Sequence, residues 1–216
     1  KKAVIDAFTG ADYIIHCAGL SSVWGAKSEF DEANVTAVKH VIEASKTHLV
    51  KRLIHISSPS LYFDYEDKYN LNECDPFPQK FVNFYATSKK AGEDLVQKAF
   101  HDGLPTVILR PRGIFGPGDT SIFPRILSAM ERKILPLIND GKALMDITYV
   151  DNVVDAIILA IQAQDNVQGQ IYNITNDEPK TFIELLEALS KKMQLPLKTK
   201  NVSFNKAYYS AKVLEA

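Results

Sequence analysis

A tyrosine and a lysine four residues apart are the two side chains in this sequence best suited to chemistry. Tyr85 and Lys89 lie in a segment with helical spacing of apolar residues, so both project from one face of a predicted helix. A phenol normally ionises near pH ~10, which is too high for a base at neutral pH. A fixed positive charge beside the phenol favours the phenolate form. The pair therefore predicts an acid/base group that exchanges a proton with a substrate oxygen.

The spacing alone also fits a surface tyrosine and lysine on an amphipathic helix, because Tyr208 and Lys212 repeat it. The context of the first pair is different. Ser57 and Ser58 close the very apolar run 53–56, which is typical of a buried strand. A hydroxyl at the end of that strand, followed by the helix, supplies three groups that can converge on one substrate oxygen. No such strand precedes Tyr208.

The composition is that of a soluble globular protein, with 46% hydrophobic and 24% charged residues among 216. The net charge of −1 provides no basic field, which argues against nucleic acid as a partner. The sequence has no apolar run of ~18 residues, so no membrane span is predicted. Cys17 and Cys74 lack metal-ligand spacing, and the acidic residues of loop 59–80 fit no calcium loop, so we predict no metal. Cys17 lies in an apolar run, which predicts a buried thiol rather than half of a disulfide. The reducing cytoplasm is therefore the default compartment.

Strands and helices alternate in the first half of the chain, which predicts an α/β fold with right-handed parallel crossovers. The predicted elements are a strand over 11–19, a helix over 30–48, a strand over 50–57, the Tyr85 helix to about 101 and a strand over 104–110. Asn34 is polar near the start of its helix. It is either an ordinary first-turn residue or a side chain directed at the site.

The second half predicts a smaller mixed lobe. Its predicted elements are a helix over 122–133, a hairpin of 134–138 and 145–150 around an Asn-Asp-Gly turn, a helix from 151 to about 163, a strand over 170–174, a capped helix after Thr181 and a last helix over 205–215.

A glycine-rich loop follows the strand that ends near Arg110. Its Gly-x-x-Gly-x-Gly pattern, over 113–118, resembles a phosphate loop, but Pro117 removes one backbone N–H and no helix begins at once. We therefore interpret it as a shaped loop beside the reacting end of a ligand. Pro111 ends the strand and can shield one face of a flat ring.

Several motifs together resemble the extended short-chain dehydrogenases/reductases of the NAD-dependent epimerase/dehydratase superfamily. The motifs are His16-Cys-Ala-Gly19, Asn34-Val-Thr, Ser57-Ser58, Tyr85-x-x-x-Lys89 and Arg110-Pro-Arg-Gly-Ile-Phe-Gly-Pro-Gly118. Later motifs, such as Thr148-Tyr-Val-Asp-Asn152, make the branch of 3β-hydroxysteroid and sterol-4-carboxylate dehydrogenases the most similar. Bacterial relatives that reduce 2-alkyl-3-keto acids are about equally similar.

The resemblance implies a Rossmann-like, doubly wound parallel sheet over residues 1–119 that binds NAD or NADP, and a smaller mixed α/β substrate lobe over 120–216. It implies that Tyr85 is the catalytic acid/base and that Lys89 acidifies the phenol and binds the nicotinamide ribose. Ser58 would hydrogen-bond the substrate oxygen, because it lies four residues before Tyr62, where relatives place their serine relative to a matching aromatic residue. Asn34 would support the site. The implied cofactor contacts are Cys17, Ala18, Gly19, Ser57, Tyr85, Lys89, Pro111 and Gly113.

The resemblance also implies a reaction. We expect a dehydrogenase or reductase acting on a secondary alcohol or ketone of a hydrophobic 3-hydroxy or 3-oxo small molecule. Dimerisation through the Asn34 and Tyr85 helices is a further expectation from the family. Phe77, Phe81, Phe84, Phe115 and Phe123 either line an apolar pocket or are simple core. One alternative is a nucleotide-sugar epimerase or dehydratase, in which Arg125, Arg132 and Lys133 are candidates for a diphosphate. Another is a non-catalytic cofactor-binding regulator, although intact Ser, Tyr and Lys argue against it.

The sequence departs from the family at its beginning. Relatives open with a strand, a Gly-x-x-Gly-x-x-Gly turn and a helix, a stretch of roughly 60 residues before the point that matches Lys1. The chain also ends within a family pattern, near 208–216. If the polypeptide begins at Lys1, we predict that it does not hold NAD(P) in the usual way. Calorimetric titration of this polypeptide tests this, and tight binding of either dinucleotide would contradict it.

Overall fold

The computed structural model describes residues 1–22, 24–132 and 134–215, which form two compact units. The first unit comprises Lys1–Arg112 and Asp151–Ile174, and the second comprises Gly113–Val150 and Thr175–Ala216. The helices are α1 (Lys2–Ala7), α2 (Lys27–Asp31), α3 (Ala37–Thr47), α4 (Phe84–His101), α5 (Phe123–Arg132), α6 (Val150–Gln162), α7 (Phe182–Met193) and α8 (Phe204–Glu215). The strands are β1 (Tyr13–His16), β2 (Arg52–Ile56), β3 (Thr106–Pro111), β4 (Ile114–Phe115), β5 (Leu135–Ile138), β6 (Leu144–Met145), β7 (Thr148–Tyr149), β8 (Ile171–Ile174), β9 (Lys180–Thr181) and β10 (Thr199–Val202).

The first unit is built on a four-stranded sheet in the order β1-β2-β3-β8, with every pairing parallel. Successive residues of β2 face opposite sides of the sheet. Leu53 packs with residues of α3 and α4, whereas Ile54 packs with Ala160 of α6. Helices therefore cover both faces, and the predicted doubly wound α/β fold is confirmed.

The strand β8 belongs to the first unit, although we had assigned everything after residue 119 to the smaller lobe. It pairs with β3 through Arg110 opposite Asn173, and α6 packs on the sheet from Asp151 onward. The chain thus leaves the sheet at Gly113 and returns to it later. Local periodicity cannot reveal such a return, because a short apolar strand reads the same in either unit.

The second unit has its own apolar core and its own small sheets. Met130, Leu135, Leu137 and Leu186 form the buried centre, contributed by α5, β5 and α7. Thr181 begins α7 as the cap of the predicted capping box, its hydroxyl accepting from the N–H of Glu184. That prediction is confirmed.

The predicted hairpin in the second unit is wrong. Asn139 and Asp140 do adopt positive φ of 50° and 53°, as a hairpin turn of this sequence requires. The flanking segments nevertheless pair elsewhere within the described residues, β5 with β10 in parallel and β6 with β9 antiparallel. The partner of β5 comes from more than 60 residues away, and it offers a four-residue ladder that the local sequence does not show.

The predicted helix over 30–48 is present, but it contains a π-helical turn. The segment Glu32–Thr36 between α2 and α3 is a π-helix, and Asn34 lies at its centre. Single π-turns within α-helices are rare and occur frequently at functional sites. Within the described residues, no helix has the length and apolar character needed to cross a bilayer.

Helix α4 packs unusually close to this π-turn, and Gly92 allows it. A Cβ atom on Gly92 would lie 2.5 Å from the backbone oxygen of Asn34. Exchanging glycine for alanine inside a helix ordinarily stabilises by ~1 kcal/mol. Here the backbones would have to separate, so we expect Gly92→Ala to destabilise by about 2 kcal/mol. Urea unfolding measures this, with exposed Lys98→Ala on the same helix as the control. A stabilised Gly92→Ala variant would contradict the close packing.

Candidate active site

The ammonium of Lys89 lies at the carboxyl end of the central strand β2. Its Nζ donates a hydrogen bond of 2.6 Å to the backbone oxygen of Ile56, the last residue of β2. The side chain is only 8% exposed, so the charge has left bulk water. Ligands of parallel α/β sheets bind beyond these strand ends. Lys89 therefore brings helix α4 to the edge of the sheet where such a ligand binds.

Burial changes the acidity of this lysine. Removal from water lowers the pKa of Lys89 from 10.5 to about 8, while Glu93 and Cys17 oppose the shift. An amine of this kind is charged at neutral pH and still close to losing its proton. A lysine at this position can therefore hold a neighbouring oxygen and also respond to pH near neutrality.

Tyr85 lies in the first turn of α4, one turn before Lys89. Asn83 begins the helix, its side-chain oxygen accepting from the N–H of Ala86 at 2.8 Å. Ser88 donates from Oγ to the backbone oxygen of Tyr85 at 2.9 Å. The phenol is half-buried, and within the described residues its hydroxyl makes no hydrogen bond. The backbone beneath Tyr85 is thus fixed, while its hydroxyl remains available for a ligand.

Asn34 connects this turn of α4 to the loop that follows β1. Its amide nitrogen donates to Ser88 Oγ at 2.9 Å and to the backbone oxygen of Leu20 at 3.1 Å. Its side-chain oxygen accepts from the N–H of Leu20 at 2.8 Å. Asn34 is therefore a buried connector between two segments, rather than the ordinary first-turn residue that was one of our two interpretations.

The residues after β1 present small groups at the same sheet edge. Cys17, Ala18 and Gly19 are all exposed. The prediction of a buried Cys17 thiol is wrong, because β1 ends at His16 and the chain leaves the sheet there. A Cβ on Gly19 would lie 2.8 Å from Asn34 Oδ1, so glycine is needed for the loop to approach Asn34.

The two serines after β2 differ in their surroundings. Ser58 Oγ donates to Ser60 Oγ at 2.9 Å and accepts from the N–H of Ser60, beginning the 3₁₀ turn Pro59–Tyr62. Ser57 Oγ is buried and has no partner among the described residues. A buried hydroxyl without a partner costs free energy, so Ser57 is suited to a ligand oxygen or nitrogen.

Pro111 and Gly113 fall on different sides of the division between the units. Pro111 is buried as the last residue of β3, so the strand does end there as predicted. Gly113 is exposed at the start of the second unit, where its backbone oxygen accepts from the N–H of Thr148. In the same unit the carboxylate of Asp119 caps α5, accepting from the backbone N–H groups of residues 121–123.

A buried ion pair that sequence reasoning missed ties α4 to β3. Arg110 donates from Nε to Glu93 Oε2 at 3.0 Å and from a second nitrogen to Glu93 Oε1. Each side chain is 1% exposed. Glu93 was not among the residues singled out from the sequence. The available signal was its spacing of four residues from Lys89, which puts both on one face.

The guanidinium of Arg110 also anchors the long loop before Tyr85. Tyr62 and Phe77 lie on it, each ring centroid 5.2 Å from the guanidinium carbon, and Arg110 donates to the Tyr62 hydroxyl. Phe77 is therefore packed against a cation. Glu73, one of the loop carboxylates, accepts from the N–H of Asn173 in β8 at 2.6 Å. The loop is thus held to the sheet at several points.

Two buried histidines interact electrostatically with Lys89. His16 and His55 are register partners in β1 and β2, and their Nδ1 atoms are 3.0 Å apart. Burial and then the charge of Lys89 lower the pKa of His16 to about 4 and that of His55 well below its usual value. Both rings are therefore neutral at physiological pH, and Lys89 is the cation of this group.

The residues at this edge fit the ribose and nicotinamide end of a dinucleotide. Lys89 has three ammonium protons and uses one of them on Ile56. Ser57 offers a buried hydroxyl without a partner, and Ala18 and Gly19 leave room for a flat group. These donors and this space match the ribose hydroxyls and the amide of such a cofactor.

A parallel α/β sheet with helices on both faces fits the class of extended short-chain dehydrogenases/reductases. The model of the 3-beta hydroxysteroid dehydrogenase/isomerase family matches residues 1–205, and the chain belongs to this family. The resemblance seen in the sequence is thereby confirmed.

Two curated relatives illustrate the range of the family. The chain is 34% identical over 225 residues to a 2-alkyl-3-oxoalkanoate reductase of Shewanella oneidensis, covering 99% of this chain and 58% of that protein. It is 35% identical over 196 residues to the decarboxylating sterol-4-alpha-carboxylate 3-dehydrogenase of Bos taurus, covering 88% of this chain and 55% of that protein. The chain thus spans little more than half the length of these relatives.

Solved structures share the fold. The UDP-glucuronic acid 4-epimerase from Bacillus cereus, solved in complex with NAD, superposes with a TM-score of 0.80 at 24% identity. The match covers 93% of this chain and 65% of that one. At this identity the likeness establishes the Rossmann-like architecture alone.

The lowered pKa of Lys89 makes stability depend on pH. The native state releases this proton near pH 8 and the unfolded state near 10.5, so between these values the unfolded state binds more protons and stability rises with pH. Relative to Lys89→Met, we expect the parent to gain about 2 kcal/mol of unfolding free energy from pH 8 to 10. Urea unfolding at a series of pH values measures this, with exposed Lys39→Met as the control. Parallel pH curves for the parent and Lys89→Met would show that burial does not perturb Lys89.

Proposed function

We propose that the protein is an NAD(P)-dependent oxidoreductase of the extended short-chain class. It would interconvert a secondary alcohol and a ketone on a hydrophobic 3-hydroxy or 3-oxo compound. The observation that carries this proposal is the buried ammonium of Lys89. It donates to the backbone oxygen of Ile56, the residue before Ser57 at the end of β2, and it lies on the helix that also carries Tyr85. Membership of the family supports it.

The chain's own side chains supply proton transfer and orientation. A bound nicotinamide cofactor would accept or donate hydride at its C4 atom. Tyr85 would take the hydroxyl proton when the alcohol is oxidised and return it when the ketone is reduced. Lys89, already directed at the strand ends, would favour the phenolate and donate to a ribose hydroxyl. Ser57, Cys17, Ala18, Gly19, Pro111 and Gly113 are the proposed further cofactor contacts.

Ser58 is proposed to hold the substrate oxygen. Its hydroxyl donates to Ser60 Oγ, so the hydrogen must rotate away from Ser60 when substrate arrives. A serine hydroxyl rotates at low cost, and Ser60 can keep its own N–H directed at Ser58 Oγ. The proposed role of Asn34 is to support the site by holding the turn under Tyr85 and the loop after β1 in one arrangement.

The names of the relatives suggest a chemical feature of the substrate. One reduces a 2-alkyl-3-oxoalkanoate and another dehydrogenates a sterol-4-carboxylate with decarboxylation. Both compounds place a carboxylate on the carbon beside the reacting one. We propose that 3-oxo acids or the corresponding 3-hydroxy acids with a large apolar part are the first compounds to test. Oxidation of such a hydroxy acid produces a ketone that can hold the electron pair left by decarboxylation.

The alternative of a nucleotide-sugar epimerase or dehydratase has weaker support. It rests on solved structures at about 24% identity, which establish the fold alone. Four of the reductase and dehydrogenase relatives are 33–37% identical. From the family resemblance, we also propose a homodimer through the helices that carry Asn34 and Tyr85. The cytoplasm is proposed as the default compartment, from the cysteine usage.

Replacement of the acid/base tests the mechanism. We expect Tyr85→Phe to lower kcat by at least ~100-fold, because it removes proton transfer and keeps the ring. The measurement follows reduced-cofactor fluorescence in the full-length protein with a panel of 3-oxo acids and steroids. Tyr208→Phe is the matched control, because Tyr208 has the same spacing to a lysine and lies on α8 of the second unit. It should retain parental turnover.

The same assay separates the candidate functions. Net consumption of cofactor with a 3-oxo acid or steroid supports the oxidoreductase. Isomerisation of a UDP- or GDP-sugar without net cofactor consumption would favour the epimerase instead. Turnover of Tyr85→Phe near the parental rate would rule out the proposed acid/base.

A further inference from the structure

Three charged side chains share the buried interface between α4 and the sheet. Lys89 is 8% exposed, and Glu93 and Arg110 are each 1% exposed. Lys89 and Glu93 are four residues apart on α4, the spacing at which lysine and glutamate ordinarily form an ion pair. In the described part of the chain no ion pair joins them. Arg110 binds both oxygens of Glu93, and the Lys89 ammonium donates to Ile56.

We propose that Arg110 is a positioning residue for Lys89. By occupying both carboxylate oxygens of Glu93, it prevents that carboxylate from capturing the lysine ammonium. The ammonium is thereby left directed at the carboxyl ends of β1 and β2. The consequence for catalysis rests on the proposed function, whereas the contact itself does not.

The geometry of Arg110 suits this task. A guanidinium binds the two oxygens of a carboxylate at once, which a lysine ammonium cannot do in the same way. The guanidinium contacts the rings of Tyr62 and Phe77, which also contact each other, and its backbone belongs to the interior strand β3. It therefore holds Glu93 from a rigid base on the opposite side of α4 from solvent.

The surroundings of Lys89 leave Glu93 as its strongest competing partner. The titratable groups that act on Lys89 are Glu93 on its own helix, Cys17 after β1, and His16 and His55 from β1 and β2. Both histidines are neutral, and a thiol carries little charge at neutral pH. Without Arg110, the buried carboxylate would be uncompensated, and Lys89 would be the cation within reach.

The test is the titration of Lys89 itself, with no cofactor or substrate present. In the full-length protein labelled with ¹³C at lysine Cε, we expect Arg110→Met to raise the pKa of Lys89 by about one unit or more, because an unpaired carboxylate favours the ammonium. Arg52→Met is the matched control. Arg52 is also a buried arginine, on the neighbouring strand β2, and it donates to backbone oxygens near the end of α6, with Ala163 at 3.1 Å. Replacement of Arg52 should destabilise the fold without changing the pKa of Lys89.

A second pair of variants shows whether Arg110 acts through Glu93. Glu93→Gln should lower the pKa of Lys89, and adding Arg110→Met to Glu93→Gln should then change it little. Arg110→Lys keeps the charge but cannot bind both carboxylate oxygens of Glu93 in the same way. It should therefore shift the pKa of Lys89 in the same direction as Arg110→Met. This variant provides the measurement if Arg110→Met does not fold.

Two results would overturn the inference. The first is a Lys89 titration that is unchanged in the Arg110 variants or moves equally in Arg52→Met. The second is a change in the pKa of Lys89 when Arg110→Met is added to Glu93→Gln. Such a change would mean that losing Arg110 destabilises the region in general and does not act through Glu93. Because no cofactor or substrate takes part, a failure of the proposed catalytic activity would not affect this outcome.

Discussion

The hydrogen bond from Lys89 to the backbone oxygen of Ile56 is the interaction on which the arrangement of the first unit depends. It places a buried cation at the end of the central strand, where the ends of β1 and β2 also place Cys17 and Ser57. A buried charge is costly unless it is compensated, so the helix that carries it must be held firmly. The chain does this by surrounding α4 with fixed contacts on the face that bears Lys89.

Those contacts come from three directions and meet on successive turns of one helix. Asn34 reaches Ser88 from the π-turn, Gly92 allows that turn to approach α4, and Glu93 is gripped by Arg110 from β3. Each contact leaves the phenol of Tyr85 free while fixing the backbone beneath it. A proton-transfer group must be positioned within a fraction of an ångström, and a helix held in this way satisfies that demand.

Local sequence patterns predicted the elements that depend on local interactions. The extent of α4, the alternation of strands and helices and the cap at Thr181 follow from periodicity and cap chemistry, and the structure has them. The features that were missed depend on partners distant in sequence. The strand β5 pairs with β10 instead of forming the predicted hairpin, and β8 pairs with β3 in the sheet of the first unit. Glu93 is buried in an ion pair with Arg110 of β3. The spacing of Tyr85 and Lys89 was visible, whereas the connection of Asn34 to Ser88 required the fold.

The most direct test of the account is the position of a substrate oxygen in the assembled site. A crystal structure of the full-length protein with nicotinamide dinucleotide and a bound secondary alcohol gives two decisive distances, from the alcohol oxygen to Tyr85 Oη and to Ser58 Oγ. We expect both to be hydrogen bonds of about 2.6–3.0 Å, with the Lys89 ammonium against the ribose. An alcohol oxygen bound away from these two hydroxyls, or a ribose that does not contact Lys89, would contradict it.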